Sequence, residues 1–235
     1  MGSLTKQPDR GAVRLDDLSK IYQQAGQTHV VLDGVKAVFE PGEFIAIRGR
    51  SGSGKTTLLN LLAGIDDPTR GKISYGDLPF SDLSREQRTL FRRDHIGFVF
   101  QFFNLIPTLT VMENVLLPAE LSRRNRSQAQ DRAQDLLERV GLGGRESDFP
   151  DRLSGGEQQR VALARAVMLK PMVILADEPT GNLDRKTGDE VMNLLDSLRA
   201  ENEMLLIMVT HSHMLAERSD RAFLLENGVL KGLTA

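Results

Sequence analysis

The stretch that most narrows what this chain can fold into runs from Phe44 to Leu62, with Phe44-Ile45-Ala46-Ile47 leading into Gly49-Arg50-Ser51-Gly52-Ser53-Gly54-Lys55-Thr56-Thr57. The apolar run reads as a short buried strand. Gly49 to Thr56 fits the spacing G-x-x-x-x-G-K-[ST]. Leu58, Leu59, Leu61 and Leu62 then recur at helical spacing, so a helix is expected to open at Lys55. Three glycines and two serines lie between Gly49 and Thr57. They keep bulk away from the main chain, so that successive N–H groups can converge on an anion. The helix start adds its own unsatisfied N–H groups and the positive end of its dipole. Lys55 supplies a point charge for the β- and γ-phosphates, and the Thr56 hydroxyl stands where Mg²⁺ is held. A Gly/Ser turn alone would be the plainer reading, but the flanking strand and helix favour a nucleoside triphosphate site.

The bulk of the sequence sets outer limits. A chain of 235 residues can bury a full core with room for a smaller lobe. The net charge of −2 gives no overall basic field, so no nucleic-acid partner is expected. There is no cysteine, which excludes disulfides and thiolate metal sites. No apolar stretch is long enough to span a bilayer, and no signal peptide opens the chain. Met1-Gly2 invites a myristoylation test, but Lys6 stands where Ser or Thr is needed, so no direct lipid anchor is expected. Any membrane association then requires a partner.

Residues 1–11 are polar and expected to be disordered. Short runs at Val30–Leu32 and Val35–Phe39 read as antiparallel strands. Three further apolar runs each end in a polar residue: Ile96–Phe100 at Gln101, Met172–Ala176 at Asp177-Glu178, and Leu205–Thr210 at His211. Strands apolar throughout, alternating with helices, indicate a parallel sheet covered on both faces. Ligands in such sheets lie beyond the carboxyl ends of the strands, so Gln101, Asp177, Glu178, His211 and the phosphate loop are expected along one edge. Between Gln101 and Met172 the pattern is helical. Thr110 with Glu113 forms a plausible capping box for a helix to about Leu121. Ser127 to Val140 is amphipathic and stops at Gly141. A short helix (Met214–Arg218), a strand (Ala222–Glu226) and a turn at Asn227-Gly228 follow, with no appended regulatory domain expected. His29, His95 and His213 are read as incidental, and Arg123-Arg124-Asn125-Arg126 as a solvated loop.

Leu153-Ser154-Gly155-Gly156-Glu157-Gln158-Gln159-Arg160 is a second place where small residues precede a helix, here expected over Val161–Leu169, and so a second candidate phosphate site. By itself it is equally an ordinary serine cap. Together with the phosphate loop, it makes the chain resemble the ATP-binding cassette (ABC) ATPases across residues 13–232; their signature is LSGGQ-like, and here it reads LSGGE. The resemblance implies an α/β fold: a P-loop NTPase with a mainly parallel core sheet, an N-terminal antiparallel β subdomain and an inserted α-helical subdomain. It implies a single domain over 12–232, with the helical lobe at about 102–165.

The family's parts then fall on individual residues. Gly49–Thr57 is the phosphate loop, and Tyr22 stands where an aromatic ring stacks on adenine. Gln101 resembles the Q-loop glutamine, a Mg²⁺ and water ligand. Asp177 resembles the Mg²⁺-associated aspartate, Glu178 the general base, and His211 the switch histidine at the γ-phosphate. Gly181-Asn182-Leu183-Asp184 matches the D-loop. By resemblance the cofactors are ATP and Mg²⁺. The signature residues Ser154, Gly155, Gly156 and Glu157, with Asp184, would close over ATP held by the partner's phosphate loop in a head-to-tail homodimer.

Val99–Val115 and Ala176–Asp184 look most like the lipoprotein-releasing, macrolide-exporter and cell-division branch of that family. This implies an ATPase on the cytoplasmic face of the inner membrane, held there by permease subunits that dock near Phe102–Val115. The apolar residues of that stretch suit either a docking surface or the core of the lobe. Two alternatives remain: an ATPase that relays a conformational signal to cell-wall hydrolases without transport, and a soluble ABC protein of translation or repair. The latter usually carry a second cassette or long insertions, absent from this sequence.

Overall fold

The computed structural model describes residues 11–24 and 26–233; the stretch expected to be disordered falls outside them except for Gly11. In chain order the elements are β1 (Val13–Gln24), β2 (Gln27–Phe39), β3 (Phe44–Arg48), α1 (Lys55–Leu62), β4 (Arg70–Tyr75), α2 (Arg85–His95), β5 (Ile96–Phe100), α3 (Val111–Leu121), α4 (Arg126–Arg139), α5 (Gly155–Val167), β6 (Val173–Asp177), α6 (Arg185–Glu201), β7 (Leu205–Thr210), α7 (His213–Glu217), β8 (Arg221–Glu226) and β9 (Val229–Leu233). They pack as two compact units, one from the residues up to Thr89 together with Val209 onward, the other from Leu90–Met208.

In the first unit β2, β1 and β4 form an antiparallel sheet in that order. The two short runs read from the sequence are one continuous strand, β2. Asp17 adopts a left-handed φ of 52° in β1, and the β1–β2 register shifts between Leu15 and Leu18. The break that the sequence suggests at Asp33-Gly34 is a second irregularity, in β2 itself: Gly34 takes φ 61° and the register shifts between Leu18 and Lys20, so the strand bulges there without turning. β3 runs parallel to β8, and β8 pairs antiparallel with β9. Asn227 and Gly228 both take positive φ, 51° and 77°, as a tight two-residue hairpin turn requires. The return strand β9 escapes a sequence reading because it is largely exposed and carries no apolar alternation.

All four leucines of α1 are buried. Its last turn is closed from outside the helix: the Tyr75 hydroxyl donates to the Leu62 carbonyl at 2.6 Å. Tyr75 is wholly buried, its ring edge-on to Phe80 with centroids 5.0 Å apart, and burial pushes its phenol pKa up. One phenol thus fills the core and satisfies one of the carbonyls that a helix end leaves open.

In the second unit β5 and β6 are parallel, Ile96 opposite Val173 and Phe100 opposite Asp177. β6 is buried up to Ala176, as is the part of β7 that belongs to this unit, Leu205 to Met208. No strand intervenes between Gln101 and Met172 among the described residues. The Thr110–Glu113 capping box forms as expected. α4 starts at Arg126, with the Asn125 side chain as its cap. α5 departs from expectation: it begins at Gly155, not Val161. The physical reason is a second capping box, Ser154 with Glu157, which compensates the poor helix propensity of two glycines. α5 also lies against β5 with almost no clearance. A Cβ on Gly97 would come within 2.4 Å of the Ala166 carbonyl oxygen, so only glycine fits.

Removing the Tyr75 hydroxyl leaves the Leu62 carbonyl buried without that donor. Tyr75→Phe should lower the unfolding free energy by about 1–2 kcal/mol, read from the urea midpoint with an unchanged slope.

Candidate nucleotide-binding site

β3 delivers the chain into the phosphate loop from a fully packed position; only Arg48 at its end is not buried. Gly49 is squeezed: a Cβ there would lie 2.4 Å from Ser53 Oγ and 2.6 Å from the Leu225 carbonyl. The main chain can therefore turn tightly only without a side chain. Gly54 is the N-cap of α1 at φ 99°, and no side chain caps the helix. A helix start without a side-chain cap is open to an approaching anion. Lys55 folds back over the loop, its ammonium donating to the carbonyls of Gly49 at 2.8 Å and Arg50 at 3.1 Å. Thr56 is exposed.

Residues Gly49 to Ser53 line a cavity of about 940 Å³ together with His211. The first unit thus brings the expected switch histidine and the phosphate loop to one space. Arg48 and His29 line the same cavity, and Arg48 also contacts His213 on α7. Two histidines set aside in the sequence are therefore placed beside the loop. Neither stood in a recognisable motif.

Tyr22 is exposed, with its hydroxyl donating to Asp66 Oδ2 at 2.6 Å. Lys20 pairs with the other Asp66 oxygen at 2.6 Å, and its ammonium sits 4.7 Å from the Tyr22 ring centroid. The ring is thus oriented from its rim and covered on one face by a cation. Partial burial and the Asp66 hydrogen bond raise the Tyr22 pKa, while Thr57 acts in the opposite sense. Burial alone would raise Asp66, but hydrogen bonds from Lys20, Tyr22 and the Asp67 N–H hold it below the usual carboxylate range.

The second unit gathers a different set. Asp177 is the last residue of β6, and Glu178 follows at φ 46°, a left-handed conformation uncommon for a glutamate. Gln101 and Asn182 exchange hydrogen bonds: Gln101 Nε2 donates to Asn182 Oδ1 at 3.2 Å, and Asn182 Nδ2 donates to the Gln101 carbonyl at 2.9 Å. Asp184 caps α6, accepting from the Thr187 hydroxyl at 2.6 Å and the Thr187 N–H at 3.1 Å. These bonds hold its carboxyl below the ordinary range.

The signature turn belongs to this set. Glu157 Oε2 accepts from the Ser154 N–H at 2.8 Å and from its hydroxyl at 2.7 Å. Arg145 reaches the other oxygen at 3.1 Å. The Ser154 bonds, then Arg145 and Arg160, keep the Glu157 carboxyl ionised below its usual range, against a small opposing effect of burial. A Cβ on Gly155 would rest 3.5 Å from both Phe103 and Leu183. One turn on, the buried Gln159 donates to the Pro179 carbonyl at 2.6 Å. The start of α5 therefore rests on both the Gln101 stretch and the segment after Glu178. Arg145 and Gln159 were missed in the sequence because their partners lie 12 and 20 residues away, outside any local pattern.

Beyond Gln101 the chain forms an exposed shelf. Phe102 is 72% exposed. Phe103 and Asn104 both take left-handed φ, 55° and 49°, at a cost of about 1–2 kcal/mol each. Arg165 on α5 donates to both their carbonyls, 2.9 Å to Phe103 and 2.8 Å to Asn104; hydrogen bonds from a charged donor contribute about 1.5–3 kcal/mol each. The buried Asn114 holds the next stretch by accepting from the Ile106 N–H and donating to the carbonyls of Ile106, Leu109 and Thr110. Val111 and Val115 are core, whereas Phe102 and Ile106 face outward. The Phe102–Val115 stretch is thus divided between residues that build the core and residues that face outward.

Set beside known proteins, residues 32–181 match the sequence profile of the ABC transporter family. An uncharacterized ABC transporter ATP-binding protein of Mycobacterium tuberculosis is 51% identical over 218 residues, covering 93% of this chain and 88% of that protein. The lipoprotein-releasing system ATP-binding protein LolD of Bordetella pertussis is 42% identical over 229 residues, covering 97% and 99%. Among solved structures, the dimeric post-hydrolysis state of the ATP-binding cassette MJ0796 bound to ADP and Pi superposes with a TM-score of 0.85 at 39% identity, covering 95% of this chain and 99% of that one. The chain belongs to the ABC transporter ATP-binding family. It is an ATP-binding subunit of an ABC transporter and an ATPase.

The clearance at Gly49 makes a sharp test. Gly49→Ala should weaken ATP binding at least about tenfold in a fluorescent-nucleotide titration, with the far-ultraviolet circular dichroism of the parent retained.

Proposed function

We propose that this chain powers a membrane permease of the lipoprotein-release or exporter type from the cytoplasmic face of the inner membrane, working as a head-to-tail pair that traps ATP between subunits. The observation that carries the pairing is that the chain has two glycine-flanked helix starts: α1, with no side-chain cap, and α5, with its serine–glutamate box. One suits the phosphates of a subunit's own ATP; the other, the γ-phosphate end of its partner's. The dimeric state of MJ0796 supports this arrangement, and the likeness to LolD supports the class of permease. No helix is long and apolar enough to cross a membrane among the described residues, so the permease supplies the attachment. The exposed Phe102 and Ile106 suit its docking surface.

In hydrolysis, water forms a bond to the γ-phosphorus as the bond to the ADP oxygen breaks, yielding ADP and phosphate. The loop N–H groups and Lys55 offset charge on the transferring group. Glu178 orients the water and takes its proton. His211 contacts the γ-phosphate. Tyr22 stacks on adenine with the face that Lys20 leaves open. A divalent ion fits the proposed donors, since the Thr56 hydroxyl, the Gln101 amide and the Asp177 carboxylate all offer oxygen, the ligand type that Mg²⁺ prefers. When bound, it neutralises charge on the β- and γ-phosphates. Asp184, already locked to Thr187, shapes the segment that meets the partner subunit.

Two variants separate binding from chemistry. Lys55→Ala should lose nucleotide in equilibrium binding. Glu178→Gln should keep ATP, hydrolyse it at least about 10²-fold more slowly, and accumulate as an ATP-bound dimer in size-exclusion chromatography. A Glu178→Gln protein turning over at the parent rate would remove Glu178 from the role of base.

A further inference from the structure

Arg165 sits on the fourth turn of the helix that Ser154 opens. It has no part in the nucleotide chemistry proposed above. It is half-buried, and burial pulls its pKa down from the ordinary arginine value. Among the described residues it pairs with no carboxylate. Both of its terminal nitrogens are instead given to main-chain carbonyls, those of Phe103 and Asn104. These two residues are the ones held left-handed, and the Asn104 N–H closes a tight turn back onto the Phe102 carbonyl. A planar fork that reaches two adjacent carbonyls at once is a property of arginine; a lysine ammonium is a single point charge. At the other end of the same helix the shelf passes close by, since a Cβ on Gly155 would come within 3.5 Å of the Phe103 ring. The shelf is thus fastened to α5 by the Arg165 fork and borders it again at the signature turn.

We propose that Arg165 is a positioning residue that fastens the exposed Phe102–Ile106 shelf to the signature helix, so that a change at Ser154–Glu157 on ATP closure is passed to the shelf as a movement of one body. The inference rests on the reading that the signature turn closes over ATP, and it adds the residue through which that event reaches the permease-facing surface. Without the fork, the two left-handed residues lose the charged donor to both their carbonyls, and the shelf relaxes independently of α5.

The chain contains no tryptophan, so Phe102→Trp installs a single fluorescent reporter at an exposed point on the shelf. The full-length Glu178→Gln protein carrying that reporter is titrated with Mg-ATP, and nucleotide binding and dimer formation are measured in parallel. The expected result is a shift in emission on ATP addition that Arg165→Lys abolishes, with ATP affinity kept within about twofold of the parent. Amide exchange at residues 103–104 should become about tenfold faster in the variant. A lysine variant that keeps both the ATP-dependent shift and slow exchange overturns the proposal. So does a parent that binds ATP and dimerises while its reporter stays silent. Failure to bind ATP or to dimerise overturns the sandwich reading instead, and the two failures are therefore distinguishable. If Arg165→Lys lowers the melting temperature, amide exchange at residues 103–104 is compared with exchange along α5 in the same variant. Faster exchange confined to 103–104 supports the fastening, and exchange that quickens equally along α5 overturns it.

Discussion

Lack of room around the phosphate loop is the constraint from which the first unit's chemistry follows. The Leu225 carbonyl of β8 stands where a Gly49 side chain would be, and Val31 of β2 presses on Gly54, which a Cβ would approach to 2.8 Å. The loop is therefore moulded by two strands that are themselves joined, since the Asp33 N–H on β2 donates to the Gly228 carbonyl in the β8–β9 turn at 2.9 Å. A flexible Gly/Ser loop would have to lose much conformational entropy on binding an anion. One already pressed into shape by its surroundings loses less, which is the general advantage of preorganisation. The same packing explains why β3 is buried up to Ile47 and why all four leucines of α1 are buried. The loop can be held only if the strand before it and the helix after it are immobile.

The second unit is organised by α5 in a comparable way, although its means are polar. Glu157 closes the first turn, Gln159 reaches across to the Pro179 carbonyl, Arg165 reaches the shelf, and Arg132 of α4 donates to the Met168 and Val167 carbonyls at the far end. Buried or half-buried polar groups are costly when unpaired. Each therefore acts as a constraint on register, because sliding α5 by one residue would strand several of them at once. An apolar helix face would tolerate such a slip far better.

Much of this was legible in the sequence where signals are local. The phosphate-loop spacing, the all-apolar strands with their polar last residues, the Thr110 capping box and the Asn227-Gly228 turn all depend on residues within a few positions of one another. The sequence misled where distant chain had the deciding vote. β2 looked like two strands because Asp33-Gly34 reads as a turn, whereas pairing with β1 carries the chain through it as a bulge with Gly34 at φ 61°. α5 looked late because two glycines weigh against a helix until the Ser154–Glu157 box is counted. β9 was invisible because an exposed edge strand needs no apolar alternation. At the site, chemistry-bearing residues could be picked out by motif, but their supports could not. Asp66 behind Tyr22, Asn182 beside Gln101 and Arg145 behind Glu157 are separated from the groups they hold by 44, 81 and 12 residues.

The contact at Gly97 has a mechanical side. Side chains between two elements normally act as a compliant layer, with rotamers that can shift to take up small displacements. Between β5 and α5 that cushion is missing at one point, where main chain meets main chain at Ala166. A tilt of the helix is then delivered to the strand without slack, and Gln101, the next residue after β5, is carried along with it.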